Sequence, residues 1–133
     1  MKRLNTVLLV DDDKITNYIN QRLIQKLNVT ESVTALLNGK EAMDFIYDNE
    51  QQNKPLPDLI LLDINMPVMD GFEFVNSFKS IKSSGTVKIV MLTTSSNEKD
   101  IEKISITHEI SGYINKPLTE QKLQEVFVKY IDA

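Results

Sequence analysis

The chain has 133 residues, 41% hydrophobic and 26% charged, the balance of one globular domain long enough to bury a core. Its net charge of −4 offers no general basic surface for nucleic acid or anionic lipid, and with no cysteine it has neither a disulfide framework nor a thiolate metal site. No stretch approaches the ~18 apolar residues of a membrane span, and residues 1–6 lack the apolar stretch of a secretory signal, so a cytoplasmic protein is expected.

The first apolar run, over about residues 5–10, stops at Asp11-Asp12-Asp13. Ile15, Ile19, Leu23 and Leu27 follow at four-residue spacing and predict a helix with one buried stripe. A second strand is expected over 32–37, and Asn38-Gly39 separates it from a helix over 39–49 resting on Ala42, Met43 and Ile46. Residues 49–57 are polar and proline-bearing and read as an extended surface loop. A third strand, 58–63, runs through Leu59-Ile60-Leu61-Leu62 into Asp63. Asp70-Gly71 then introduces a helix that shows Phe74, Val75, Phe78 and Ile81 on one face.

The fourth strand, 87–93, ends at Thr93-Thr94. Near 97–108, Ile101, Ile104 and Ile106 barely define a helical face, which predicts a mobile or partner-facing element. The fifth strand, 111–115, runs into Lys116-Pro117, and Leu123, Val126, Phe127, Tyr130 and Ile131 form the face of a last helix. Three of the strand candidates are nearly continuous in apolar residues, as parallel strands covered on both faces require. Five strands alternating with five helices predict an α/β fold, a doubly wound parallel sheet, in a single domain over 1–133 with no output domain.

In such a sheet, ligands bind outside the carboxyl ends of the strands, where the strand order reverses. In the order 2-1-3-4-5 that point lies between the strands ending in Asp11-Asp12 and in Asp63. Carboxylates ~4 Å apart repel by ~4 kcal/mol at an effective dielectric of ~20, so some stay protonated or a hard cation sits among them. Oxygen donors with no nearby His or Cys suit Mg²⁺ or Mn²⁺ better than zinc. Asp63 can act as a nucleophile toward phosphorus, giving an acyl phosphate. Such transfer needs chiefly positioning and charge neutralisation, which Lys116 and a hydroxyl hydrogen bond from Thr93 can supply.

Four segments, Val10-Asp11-Asp12, Leu62-Asp63-Ile64-Asn65-Met66-Pro67-Val68-Met69-Asp70-Gly71, Leu92-Thr93 and Gly112-Tyr113-Ile114-Asn115-Lys116-Pro117, together resemble the receiver domain of the response regulators of bacterial two-component signalling. The resemblance covers about residues 5–131, and four motifs in order at matching spacing make it specific. It implies a flavodoxin-like fold and a phosphoryl group accepted on Asp63 from a histidine kinase or phosphotransfer protein. It implies Mg²⁺ held by the side chains of Asp12 and Asp63, by the main-chain carbonyl of Asn65, and by Asp11 through a water. Thr93 would be the switch hydroxyl, Tyr113 the coupled aromatic, Lys116 the phosphate-contacting cation, and the Lys116-Pro117 bond cis. Phosphorylation would change the face built from the fourth helix, fifth strand and fifth helix, to be read by a downstream protein or by a second copy in a homodimer. No separate metabolite would be turned over.

The chain departs from the family pattern at Thr94, where a small residue is usual, at Thr107-His108-Glu109-Ile110-Ser111 before Gly112, and in the long 49–57 loop. Bland readings stand beside the sharp ones. Asp13 is assigned as the N-cap of the first helix, His108 as a surface residue, and Phe72, Phe74 and Phe78 as core. Tyr113 is equally well explained as half-buried packing. A flavin carrier is disfavoured because three adjacent aspartates would repel its phosphate. A phosphatase is disfavoured because Asn65 cannot serve as its proton donor. A receiver-like module that acts constitutively, without phosphorylation, is the remaining rival.

Overall fold

The computed structural model describes residues 3–81, 84–94 and 98–132. In chain order it contains β1 (Leu4–Val10), α1 (Lys14–Leu27), β2 (Thr30–Leu36), α2 (Gly39–Gln51), β3 (Leu59–Asp63), α3 (Gly71–Phe78), a 3₁₀ turn (Ser84–Thr86), β4 (Lys88–Thr93), α4 (Glu98–Ile106), β5 (Gly112–Asn115) and α5 (Glu120–Val126). The last helix continues as a π-helical turn over Phe127–Ile131. The strands form one parallel sheet in the order β2-β1-β3-β4-β5, as expected. The expected start of the fourth helix, at residue 97, lies outside the described residues.

The continuous apolar runs have a direct cause, since successive strand side chains point to opposite faces and both faces are covered. Leu8, Val10, Ile60, Leu62, Ile89 and Met91 pack on the side of α2, α3 and α4, against Ile46, Phe74 and Phe78. Val7, Leu9, Leu59, Leu61, Val90 and Leu92 face α1 and α5, against Ile24, Leu123 and Phe127. Each fully buried Leu, Ile or Phe contributes roughly 1.5–3 kcal/mol relative to exposure. Phe74 and Phe78 stack with ring centroids 5.5 Å apart, while the third member of the predicted aromatic set, Phe72, is only partly buried under the Lys103 ammonium.

Three sequence readings change. The α1 stripe is not buried as expected. Ile15 and Ile19 are 71% and 60% exposed, and Leu23 and Leu27 are only partly covered. The helix instead buries Asn17, Asn20 and Ile24, because the Asn17 amide is bonded to backbone at the ends of β1 and β2 and fixes the helix's rotation. Second, α2 runs on to Gln51, so the polar loop begins later than residue 49. Third, α3 ends at Phe78, and Ile81 is buried from the turn that follows it. In α4 only Ile104 is buried, in keeping with its weak periodicity.

The rotated helix makes a measurable distinction. Ile19→Lys should change the urea unfolding free energy by less than ~0.5 kcal/mol, as for surface substitutions in general. Ile24→Ala, on the buried face, should cost about 2–5 kcal/mol. Comparable losses in the two variants would restore the stripe read from the sequence.

Candidate functional site

The carboxyl ends of β1, β3, β4 and β5 meet at one pocket, and each loop there is locally determined. Leaving β1, Asp13 caps α1 as expected, its carboxylate accepting from the backbone N–H groups of Ile15 (2.9 Å) and Thr16 (3.4 Å). Those two donors hold its pKa below the ordinary value. Asp13 is thus spent on the helix, and the pocket is left to Asp11 and Asp12.

Leaving β3, the chain turns at Val68, whose φ of 70° is in the left-handed region, with the Met69 N–H donating to Pro67 O at 2.8 Å. For a β-branched residue this backbone is strained by about 1–3 kcal/mol. The turn delivers Asp70 to cap α3, and a reciprocal bond from the Asp70 N–H to Glu73 completes a capping box. Gly71 is demanded by close approach, since a Cβ there would lie 2.6 Å from the carbonyl oxygen of Asp63. Helix α3 therefore begins directly against the backbone of the central aspartate.

Asp11 is 2% exposed, and both its carboxylate oxygens are engaged. One accepts from the Asp13 N–H at 2.9 Å and the other from the Lys116 ammonium at 2.6 Å. Lys116 also lies 3.2 Å from Asp63 and so sits between the two buried acids. Asp12 is exposed at the mouth, and carboxylate oxygens of Asp11, Asp12 and Asp63 all lie within 4.8 Å of one another. Burial pushes the Asp63 carboxyl up to about 6, against the pull of Lys116 and with a push from Asp11 and Asp12. Burial also opposes the charge on Lys116, but its hydrogen bond to Asp11 and the nearby carboxylates outweigh it and hold the ammonium above the ordinary lysine value.

Thr93 is buried at the end of β4, where its carbonyl accepts from the Lys116 N–H at 2.8 Å, and Thr94 is exposed. Asn65 is exposed just beyond Asp63. Tyr113, on β5, is 39% exposed. It borders a groove of about 580 Å³ between α4, β5 and α5, lined also by Ile101, Ile104, Lys129 and Tyr130. The Lys116-Pro117 peptide is cis, as expected, and His108 is exposed. The structure thus brings Asp11, Asp12, Asp63, Thr93 and Lys116 to one pocket and leaves Tyr113 on the face beside it.

Two residues at the site escaped the sequence reading. The Asn17 side-chain N–H₂ donates to Asp11 O (2.9 Å) and Leu36 O (3.1 Å). Lys122 donates to Asn115 O (2.7 Å) and Pro117 O (3.1 Å), the carbonyls on either side of Lys116. Each stands six positions after the residue it supports. A signal existed for the first. Asn17 and Asn20 are in helical phase with Ile24, and asparagine in a helix interior calls for a hydrogen-bond reason.

An all-oxygen donor set with one exposed carboxylate suits a hard divalent cation, which takes one or two carboxylates with phosphate oxygens and water. Such an ion would favour the ionised Asp63 that burial, with a smaller push from Asp11 and Asp12, disfavours. The geometry fits a phosphoaspartate site with Mg²⁺.

Residues 7–128 match the family described as Response regulator receiver domain. Response regulator Rcp1 of Synechocystis sp. is 35% identical over 122 residues, 91% of this chain and 80% of Rcp1. A crystal structure of its Mn²⁺-bound form aligns with a TM-score of 0.77 at 29% identity, covering 96% of each chain. A two-component response regulator from Cytophaga hutchinsonii aligns with a TM-score of 0.88 at 26% identity, over 99% of this chain and 100% of that one. The phosphorylated cyanobacterial phytochrome response regulator RcpA aligns with a TM-score of 0.73 at 33% identity, over 97% and 96% of the two chains. Among the described residues no helix is long and apolar enough to cross a membrane. The chain belongs to the response regulator receiver domains of two-component signalling.

Proposed function

We propose that this chain is a stand-alone, cytoplasmic receiver that accepts a phosphoryl group on Asp63 from a histidine kinase or phosphotransfer protein, and that it signals by phosphorylation-dependent binding to another protein. The observation that carries this reading is the Lys116 ammonium held between Asp11 and Asp63, with Asp12 open at the mouth. The Mn²⁺-bound state of Rcp1 and the phosphorylated state of RcpA support it.

In this reading Asp12 and Asp63 hold Mg²⁺ or Mn²⁺ through their side chains, Asn65 through its main-chain carbonyl, and Asp11 through a water. When bound, the ion neutralises charge on the phosphoryl oxygens. With a pKa of about 6, Asp63 is largely ionised at neutral pH and able to attack. Its oxygen forms a bond to phosphorus as the bond from phosphorus to the donor's imidazole nitrogen breaks, and the nitrogen keeps the bonding electron pair. Lys116, tethered by Asp11, meets the charge of the arriving phosphoryl group, and the Thr93 hydroxyl donates to one of its oxygens. The protein's own residues carry out the transfer and the later hydrolysis, with no separate substrate turned over. Tyr113 follows Thr93 inward, and the groove between α4, β5 and α5 changes shape for its partner, a downstream protein or a second copy.

Two outcomes are expected. Acetyl phosphate with Mg²⁺ should add one phosphoryl mass to the wild type and none to Asp63→Asn, while Lys116→Ala should be labelled at least ~10-fold more slowly, as when a transition-state charge contact is removed. Equal labelling of wild type and Asp63→Asn removes Asp63 from the role.

The second outcome concerns pH. Asp63 titrates at 3.8 when unfolded and at about 6 when folded, so its contribution to stability is progressively lost as pH rises between those values. Above that window the metal-free protein bears a cost of about 2–3 kcal/mol, at 1.36 kcal/mol per pKa unit. Asp63→Asn should therefore raise metal-free stability at pH 8 by about 1–3 kcal/mol, with the gain vanishing near pH 4. Mg²⁺ should stabilise the wild type at pH 8 and lose that effect below pH 6. Urea midpoints across pH test both, and a destabilised Asp63→Asn at pH 8 contradicts them.

A further inference from the structure

Resting on the metal-binding reading above, we infer that Asn17 is a positioning residue for the acid pair Asp11–Asp12, setting the aim of both carboxylates through the peptide unit that joins them. Asn17 is 5% exposed, and its own backbone N–H donates to Asp13 O at 3.0 Å, the first rung of α1. Its side chain therefore projects from a rigid base. One side-chain nitrogen serves two carbonyls, Asp11 O at 2.9 Å and Leu36 O at 3.1 Å. Leu36 O also accepts the Asp11 N–H at 3.1 Å, so the Asp11 backbone is gripped on both sides, by the end of β2 and by α1.

The carbonyl of Asp11 and the N–H of Asp12 belong to one planar peptide. Holding that carbonyl fixes the torsions that aim the Asp11 and Asp12 side chains. Asp11 has further anchors in Lys116 and the Asp13 N–H. Among the described residues no hydrogen bond holds the exposed Asp12 carboxylate, so the Cα–Cβ direction given by its backbone is what brings it to the mouth.

The other half of the amide makes the same case. Among the described residues, Asn17 Oδ1 is buried with no hydrogen-bond partner. A buried acceptor left unpaired is costly, and asparagine is a poor residue for a helix interior. A leucine would fill the same space without either penalty and would also satisfy the helical pattern of Ile24. What leucine cannot do is donate to Asp11 O. The unpaired oxygen is thus the accompaniment of a donor that the pocket requires.

The probe is Mn²⁺ alone, followed by calorimetric titration of the full chain with urea midpoints measured in parallel. Asn17→Leu and the smaller Asn17→Ser should weaken Mn²⁺ binding about 10-fold or more, the usual effect of removing a group that orients metal ligands. Ile24→Val, on the same buried face but two helical turns further from the pocket, should lower the urea midpoint and leave Mn²⁺ affinity unchanged. A merely structural clasp would move stability in all three and affinity in none. In the wild type, by NMR, the Asn17 side-chain amide protons should be protected from exchange and should shift with Mg²⁺ along the binding isotherm, a readout that needs no variant to fold. Mn²⁺ affinity within two-fold of wild type in a folded Asn17 variant, or amide protons that Mg²⁺ leaves unmoved, overturns the inference. Failure of the wild type itself to bind Mn²⁺ would instead overturn the metal-binding reading beneath it.

Discussion

Everything at this site depends on one ammonium placed between two buried acids. Lys116 lies 2.6 Å from Asp11 and 3.2 Å from Asp63, and those acids come from adjacent strands while the lysine comes from the sheet's edge. Strand β4 stands between β3 and β5, so only a long side chain from the end of β5 can reach past it to the acids. Lysine suits the task because its four-carbon stem can lie along apolar surface while its compact charge enters a narrow space. Burial nevertheless dominates at Asp63 and raises its pKa despite the pull of Lys116, with a further push from Asp11 and Asp12.

Holding such a pocket together calls for more than a sheet. The loops after β1, β3 and β5 are each fastened by the helix that follows. Asn17 of α1 grips the Asp11 carbonyl, and the N-terminus of α3 sits on the Asp63 backbone because Gly71 has no side chain. Lys122 of α5 spans the carbonyls on either side of Lys116. The strained Val68 belongs to the same scheme, because its left-handed turn lets Asp70 cap α3 while Gly71 donates to Ile64 O at 2.8 Å. The helices thus act as clamps on the loops as well as covers for the sheet.

The large features were legible in the sequence because their causes are local. Apolar runs ending in Asp11, Asp63, Thr93 and Lys116 mark buried strands whose polar residues are confined to their ends, and Asp13 has the spacing of an N-cap. The α1 face was not legible, and the reason is physical. Ile15, Ile19, Leu23 and Leu27 make the more hydrophobic stripe, yet the helix turns Asn17, Asn20 and Ile24 inward. The Asp11 carbonyl at the pocket takes its donor from the Asn17 amide, which also reaches Leu36 O, and that pairing turns the asparagine face inward. Periodicity weighs apolar area and cannot weigh a hydrogen bond to a strand end distant in sequence. Lys122 was hidden for the same reason, since its partners are backbone atoms and carry no signature in residue type.

Strand β5 joins the chemistry to the surface. It has only four residues, pairs with β4 alone, and carries Tyr113 on its outer face three positions before Lys116. On its other side Gly112 lies directly under the Tyr130 hydroxyl, so a side chain there would have to push that ring aside. The groove against α4 and α5 is lined by these same residues. A short edge strand holds its position through few hydrogen bonds, so displacement at its end is resisted less than in the central β1 and β3. The pocket's counter-charge and the groove's aromatic wall are therefore carried by one short edge strand and the turn at its end. A ligand shifts a conformational equilibrium only through its different affinity for the two states. Among the described residues, Lys116 between Asp11 and Asp63 is the point where a ligand's contacts with the pocket would enter β5, three positions from Tyr113 on the groove.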